Sequence, residues 1–357
     1  METTGTPVNK YFSKTMIVER LPEETAITYG HIFKPSSTVL QSSDIKEGEV
    51  LLRVHHISVD PTNRIWFAAK TYTDQIQAGD IMKAFGIGEI VESRNARYNP
   101  GEIVQGILGW QEYIIVEPKK AKLNHIPLDS PFPSYYLSLM GVNGLTAYFG
   151  LKEIGKPKKG DTVIVSSAAG ATGSIVCRLA KIWGCKVVGI AGGAEKCNFV
   201  RNELKIDGCI DYKNVANLEK EIHRLCPEGV DIYYDNAGET ILDAVLANIK
   251  DNARVILCGA TSTYTNFKGE RGLKLVSRII TKRAKIEGFV LYRFQKSFAD
   301  AVFDLLDMVE AKELWGIETH FKGLEKAPEA LDKLFRGENI GKFIIDITDG
   351  FQAPKLQ

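Results

Sequence analysis

Apolar positions along this chain come in two rhythms. From Thr15 to about Pro133 they form short runs: Val50-Leu51-Leu52-Arg53-Val54, Ile87-Gly88-Glu89-Ile90-Val91, Glu102-Ile103-Val104 and Tyr113-Ile114-Ile115-Val116. Gly, Pro, Asp and Asn part them, so they predict short strands in a compact β-barrel-like domain. Residues 1–14, ahead of these runs, read as a loose tail. Residues 134–153 change to helical spacing broken by glycines and read as a bridge between domains.

From Asp161 the rhythm alternates between buried strand and amphipathic helix. The strands are predicted at 163–167, 186–190, 208–211, 230–235 and 254–259, with helices near 216–225 and 239–249 among those between them. Such alternation predicts a doubly wound parallel sheet with right-handed crossovers. Ligands of such sheets lie beyond the strand C-termini, so the turns after residues 167, 190, 211, 235 and 259 should line one cleft. Helices near 296–311 and 323–335 and a last strand at 341–347 close the chain.

The first of these turns is the most informative. Ala168-Ala169-Gly170-Ala171-Thr172-Gly173-Ser174 follows an apolar strand and opens a helix, a variant of the Gly-x-Gly-x-x-Gly fingerprint in its required context. A helix N-terminus offers unpaired N–H groups and partial positive charge, which suit a pyrophosphate. The alternative is a glycine turn needed only for helix–sheet packing. A cofactor lacking the 2′-phosphate usually meets a carboxylate about 20 residues on. Here the second strand ends in Ile190-Ala191-Gly192-Gly193, and Glu195 is followed at once by Lys196. Gly192 and Gly193 give room and Lys196 gives charge for a 2′-phosphate, which points to NADP(H). Tyr212, after the third strand, could add a phenol O–H. The alternatives are a solvated lysine on a first helical turn, an unfavourable dipole position, and a half-buried aromatic at a strand end.

Composition narrows the remaining classes. The 357 residues allow two domains, and 44% apolar with 25% charged residues suits a folded protein with a real core. A net charge of +1 gives no footprint for nucleic acid. No apolar run reaches the roughly 18 residues of a membrane span. The polar start Met1-Glu2-Thr3-Thr4-Gly5-Thr6 lacks a signal-peptide core, so a cytoplasmic location is expected. Cysteines 177, 185, 197, 209, 226 and 258 form no Cys-x-x-Cys pair and read as buried reduced thiols. His55-His56, in a β-like run, reads as packed or edge histidine.

Several segments together resemble the zinc-independent medium-chain dehydrogenase/reductases, in the group of prostaglandin reductases, leukotriene hydroxydehydrogenases and alkenal and curcumin double-bond reductases. They are Ser58-Val59-Asp60-Pro61 with Arg64, Gly144-Leu145-Thr146-Ala147-Tyr148-Phe149-Gly150-Leu151, the turn at 168–174, Glu195-Lys196, Asp235-Asn236-Ala237-Gly238, and Gly337-Glu338-Asn339-Ile340-Gly341-Lys342. The resemblance covers nearly the whole chain beyond the tail. It implies an α/β protein: a GroES-like β-barrel-type catalytic domain (residues 15–134 and 311–357) plus a doubly wound Rossmann nucleotide-binding domain (135–310).

The same resemblance implies roles. Gly170, Ala171, Thr172 and Gly173 would cradle the pyrophosphate, and Lys196 and Tyr212 would hold the 2′-phosphate beside Gly192. Asn236 would lie by the cofactor ribose, Thr146 and Cys258 near the nicotinamide half, and Asn339 would reach the cofactor from the C-terminal part. The alternative for Asn339 is an Asx-type turn. Tyr264 matches a tyrosine whose hydroxyl lies near the cofactor and the substrate carbonyl; otherwise it is a surface-loop aromatic. Phe289 and Tyr292 would line the pocket or a homodimer edge. Asp60-Pro61-Thr62-Asn63-Arg64 stands where the group often has Asp-Pro-Tyr-Met-Arg, and Val142-Asn143 stands where it has Met-Pro. Thr62, Arg64 and Asn143 are therefore the expected substrate-side residues. The zinc-dependent relatives need an early Cys and a Gly-His-Glu stretch; no Cys precedes 177 and no Gly-His-Glu occurs.

The expected chemistry is hydride transfer from NADPH to the β-carbon of an enone or enal. Tyr264 O–H and a cofactor hydroxyl would meet the charge on the carbonyl oxygen. The alternatives are a quinone reductase of the same superfamily and a non-catalytic NADPH-binding redox sensor.

Overall fold

A computed structural model describes residues 8–23, 28–68, 74–128, 130, 132–264 and 272–348, in two compact units. The first comprises the described residues up to Leu137, with His320–Arg336 and those from Phe343 on. Its strands β1 (Lys10–Val18) and β2 (Phe33–Gln41) pair antiparallel, Lys10 opposite Gln41 and Val18 opposite Phe33. β1 thus begins inside the stretch read as a loose tail. Its partner is the next strand along the chain; residues 1–7 lie outside the described residues.

β3 (Val50–Val59) is buried along almost its whole length. It is followed by α1 (Thr62–Ala68), β4 (Phe85–Ser93), β5 (Ile103–Ile107), β6 (Tyr113–Val116), α2 (Pro118–Ala121) and β7 (Asn124–Ile126). Val50, Leu52, Val54 and Ile57 of β3 pack with Trp66, Trp110, Tyr29 and Phe33. Each large apolar side chain taken fully from water contributes about 1.5–3 kcal/mol, so this cluster is the main stabilising mass of the unit.

The second unit comprises Ser138–Thr319 and Gly337–Lys342. It opens with α3 (Val142–Phe149), which runs into a π-helical turn over Gly150–Gly155. Then come β8 (Thr162–Ser166), α4 (Ala171–Ile182), β9 (Lys186–Ala191), α5 (Ala194–Asn202), β10 (Gly208–Asp211), α6 (Leu218–Leu225), β11 (Val230–Asp235), α7 (Glu239–Leu246), β12 (Ile249–Leu257), α8 (Val276–Thr281), β13 (Lys285–Gly288) and α9 (Phe298–Glu310). The sheet order is β10-β9-β8-β11-β12-β13, with every neighbouring pair parallel. Helices cover both faces of such a sheet, so the strands read as continuous apolar runs. All five residues of β8 are buried. The direction of strand addition reverses between β8 and β11, and that reversal opens a crevice at their C-terminal ends.

Two boundaries differ from the sequence reading. α7 stops at Leu246, because Ile249 already pairs with Val230 and a register shift then carries the strand to Arg254 opposite Ile232. The reading also assigns everything from 311 to the first domain, whereas residues up to Thr319 and the segment 337–342 belong to the second unit. The reason is local: Gly341 N–H donates to Ala169 O at 2.8 Å and Lys342 N–H to Ile317 O at 2.8 Å.

The chain returns to the first unit through β14 (Glu318–Lys322), α10 (Ala327–Phe335) and β15 (Lys342–Asp346). They complete a seven-stranded sheet in the order β14-β15-β3-β4-β5-β7, with β6 also on β3. His56 of β3 and His320 of β14 both bring Nδ1 to the Asp346 carboxylate of β15, at 2.8 and 2.9 Å. Neighbouring His55 is buried beside Thr348, and burial above all pushes its imidazole down to about 3, so it stays neutral.

Burial alone would raise the Asp346 carboxyl, but the hydrogen bonds from His320 and His56 outweigh it and hold the group well below the ordinary carboxylate range. A carboxyl held low in the folded state stabilises above its unfolded value, about pH 4, and that contribution is lost as pH falls below it. Asp346→Asn should cost about 2 kcal/mol at neutral pH, from two hydrogen bonds to a charged group. It should also flatten the loss of stability below about pH 4. Thermal melts of both proteins across pH check this; parallel curves would refute it.

Candidate functional site

The crevice in the second unit is built from the turns that follow β8, β9, β10, β11 and β12. After β8 the chain turns sharply: Ser167 takes φ 50°, and Gly170 caps α4 in extended conformation. Gly170 N–H donates to Ser167 O at 2.9 Å, and Ser174 N–H to Gly170 O at 3.0 Å. Gly173 is required by close approach, since a Cβ there would stand 2.3 Å from Ser167 O. The 12-residue helix α4 has no acidic residue in its first turn. Its orphan N–H groups and partial positive charge therefore remain available to an anion. Residues 337–342 lie along this turn: Gly341 bridges Gly170, and Asn339 Nδ2 donates to Gly341 O at 3.3 Å.

One flank of the crevice is cationic. Gly192 follows β9, and a Cβ there would come within 2.9 Å of both Tyr212 Cε1 and Lys213 Cε. Lys196, on the first turn of α5, brings Nζ to 3.4 Å from Asn339 Oδ1. Burial, then the positive charge of Lys213, pushes the Lys196 ammonium down to about 8. Among the described residues no carboxylate comes within ion-pair distance of it. The nearby Asp211 is turned to the backbone, accepting from Gly193 N–H at 2.8 Å and Lys213 N–H at 3.2 Å. A half-buried lysine that has no carboxylate at ion-pair distance among the described residues and feels a second lysine is suited to an anion, and a 2′-phosphate fits that set. The gathering of Gly192, Lys196 and Tyr212 involves residues singled out in the sequence. Lys213 was missed, although its place directly after Tyr212 at the end of β10 was available as a signal.

The opposite flank is neutral and densely hydrogen-bonded. Asp235, at the end of β11, is fully buried. Its Oδ1 accepts from Ser166 Oγ at 3.1 Å, Tyr233 O–H at 2.7 Å, and the N–H groups of Ala237 and Gly238 at 2.9 and 2.8 Å. Asn236 is buried and its Nδ2 donates to Ser166 O at 2.8 Å, which ties β11 to β8. Tyr234 O–H donates to Thr146 O at 2.8 Å, fixing α3 against the sheet. Burial pushes the Cys258 thiol up to about 12, which leaves it a wall and not a nucleophile. Tyr264 O–H receives the Ala260 N–H at 3.4 Å, and burial raises its phenol above the ordinary value.

Other expected residues are placed less directly. Asn143, on α3, donates Nδ2 to Thr172 Oγ1 at 3.2 Å, which puts it beside the pyrophosphate turn. Ala171 and Thr172 form the first turn of α4. Phe289 packs its ring tip against Gly150 and lies 6.2 Å from the Phe294 ring, an internal aromatic contact. Tyr292 is 38% exposed on the short helix after β13. In the first unit, Thr62 begins α1, while Arg64 is 2% exposed and donates Nη2 to Glu23 O at 3.1 Å. Arg64 thus ties α1 to the segment ending at Glu23. Among the described residues no three His, Cys, Asp or Glu side chains gather as a metal ion requires.

Comparison with known proteins agrees with this architecture. Family profiles described as "N-terminal domain of oxidoreductase" and "Zinc-binding dehydrogenase" match residues 36–124 and 171–308. The chain is 34% identical over 302 residues to the 2-alkenal reductase (NADP(+)-dependent) of Nicotiana tabacum, covering 84% of this chain and 88% of the relative. It is 38% identical over 304 residues to prostaglandin reductase 1 of Bos taurus, covering 84% and 90%. The crystal structure of CurA in complex with NADPH from Vibrio vulnificus superposes with a TM-score of 0.87 at 31% identity, covering 94% of this chain and 100% of that one.

The turn geometry separates two glycines that look alike in the sequence. Gly173→Ala forces its methyl into Ser167 O and should cost about 1–3 kcal/mol. Gly170→Ala, whose Cβ would stand 3.2 Å from Ser167 O, a tight contact that a shift of a few tenths of an ångström relieves, should cost less. Denaturant unfolding of the two variants checks the ranking; equal losses would refute the close-approach argument.

Proposed function

The chain belongs to the medium-chain dehydrogenase/reductases, in the group of alkenal, curcumin and prostaglandin reductases, and we propose that it uses NADPH to reduce the carbon–carbon double bond of α,β-unsaturated aldehydes and ketones. The observation that carries the cofactor assignment is Lys196, which has no carboxylate at ion-pair distance among the described residues, with Lys213 and Tyr212 gathered close by at Gly192. In this reading the α4 N-terminus with Gly170, Ala171, Thr172 and Gly173 holds the pyrophosphate. Tyr212 and Asn339 flank the 2′-phosphate cations. When bound, NADPH supplies a hydride to the carbon β to the carbonyl.

The chain's own part in that reaction is to align, to exclude water and to place a proton. Tyr264 is the acid of this proposal. Its phenol holds a proton at neutral pH and can give it to the carbonyl oxygen or the α-carbon; burial raises it and makes it the weaker acid, so the transfer follows the negative charge that hydride addition places on the substrate. The Ala260 N–H at the phenol oxygen then stabilises the charge left behind.

Two further assignments belong to the same reading. β13 is the open edge of the six-stranded sheet, and Val276, Ile280 and Val290 around it are 51%, 70% and 56% exposed. We assign that edge to a homodimer. All six cysteines are free thiols, which suits the reducing cytoplasm. No helix of the described residues is long and apolar enough to cross a membrane.

The test is NADPH consumption with an enal, an enone and a quinone, with product masses. Saturated aldehyde or ketone supports the proposal; hydroquinone alone, or cofactor binding without turnover, refutes it. Lys196→Ala should weaken NADPH at least about tenfold and leave NADH nearly unaffected, as expected for a charge-assisted phosphate contact of roughly 1.5–3 kcal/mol. Tyr264→Phe should lower turnover by about 10²-fold or more with NADPH affinity kept; unchanged turnover would remove Tyr264 from the mechanism. Sedimentation at micromolar concentration should read a dimer, and a monomer would sink the edge assignment.

A further inference from the structure

The strand order reverses between β8 and β11, and one buried carboxylate bridges the two strands there. Asp235 is 0% exposed, and its Oδ1 collects all four donors: Ser166 O–H from β8, Tyr233 O–H from β11, and two N–H groups of the following turn. Its Oδ2 is buried and has no hydrogen-bond partner. No Lys, Arg or His among the described residues pairs with it. The other groups facing it are Tyr264 and Cys258, from the segment after β12, and both carry its electrostatic influence.

Burial raises the Asp235 carboxyl above its ordinary value, and the hydrogen bonds from Gly238, Tyr233, Ala237 and Ser166 pull it back toward ionisation. Four donors aimed at one oxygen are the arrangement of an ionised carboxylate. Its charge is dispersed by neutral groups but met by no cation. That is costly for a purely structural group, which an asparagine or a water could replace.

The adenosine-side cations lie on the β9–β10 flank and the pyrophosphate turn over β8. The remaining half of a dinucleotide therefore falls on the β11 flank. NADPH and NADP+ differ there by one positive charge on the ring. We propose that Asp235 is an electrostatic positioning residue whose buried carboxylate favours the oxidised, cationic nicotinamide over the neutral reduced form, and so assists the release of hydride. This rests on the NADP(H) reading above and adds a residue that touches neither cofactor nor substrate.

The experiment measures the dissociation constants of NADPH and NADP+ by fluorescence titration for wild type, Asp235→Asn and Tyr233→Phe, with thermal unfolding to confirm folding. Asp235→Asn keeps an acceptor at Oδ1 and removes the charge. The ratio Kd(NADP+)/Kd(NADPH) should rise about tenfold, the scale of one unit charge acting through protein at short range. Tyr233→Phe removes one donor and leaves the charge less compensated, so the ratio should move the opposite way. A structural role would weaken both cofactor forms together. A ratio unmoved in Asp235→Asn, or moved in the same direction by both variants, overturns the proposal. If Asp235→Asn does not fold, Tyr233→Phe decides by the sign of its shift. Failure of the wild type to bind either form would instead refute the cofactor reading, a result distinct from an unmoved ratio.

Discussion

The hydrogen bond from Ser166 to Asp235 joins the only two strands of the second unit between which a ligand crevice must open. Everything in the site is measured from that junction. Ser166 Oγ also accepts the Asn236 N–H at 2.8 Å, and Asn236 O accepts from Thr261 at 3.1–3.2 Å. Ala237 O accepts from Ser262 Oγ at 2.7 Å. The turn after β12, which carries Tyr264, is thereby sewn to the turn after β11, and that turn to β8. Parallel strands fix only their own ladders, and their C-terminal turns would otherwise be independent loops. Here a run of short polar contacts makes them one surface.

How much of this could be read from the chain depends on how local the cause is. The β8–α4 turn was legible because its physics is contained in a dozen residues: an apolar strand, small residues, a helix start. Tyr212 stands out because it directly follows a predicted strand end, Lys196 because it opens the helix after one, and the missing carboxylate after β9 is itself a sequence fact. Lys213 was passed over because the side chains of adjacent residues in a turn can face one way only when the turn geometry allows it. That geometry is set by Asp211 accepting two backbone N–H groups.

Burial was the least legible property. In Asp-Asn-Ala-Gly nothing in the sequence shows that the Asn236 amide donates to Ser166 O, 70 residues away. Arg64 sits in a recognisable segment, yet its guanidinium is buried in the first unit. Both are polar residues whose partners are distant in sequence, and nothing in a linear pattern marks a polar group as already satisfied. The strand β1, which pairs with β2, was missed because a polar start such as Lys10-Tyr11-Phe12-Ser13-Lys14 carries no strand signal by itself.

The charges left uncompensated form an order along the C-terminal edge of the sheet. On one flank the half-buried Lys196, with no carboxylate at ion-pair distance among the described residues, feels the positive charge of the exposed Lys213. At the centre the N-terminus of α4 presents orphan N–H groups without an acidic residue in its first turn. On the other flank the Asp235 carboxyl is fully buried among neutral donors. Each of these features is unfavourable alone: like charges together, unpaired donors, a buried anion without a cation. Their sequence from positive to negative matches a ligand that is a dianion at one end, a pyrophosphate in the middle, and a ring that becomes cationic at the other. A fold selected for stability alone would have neutralised all three, so the uncompensated order is best explained by the molecule that completes it.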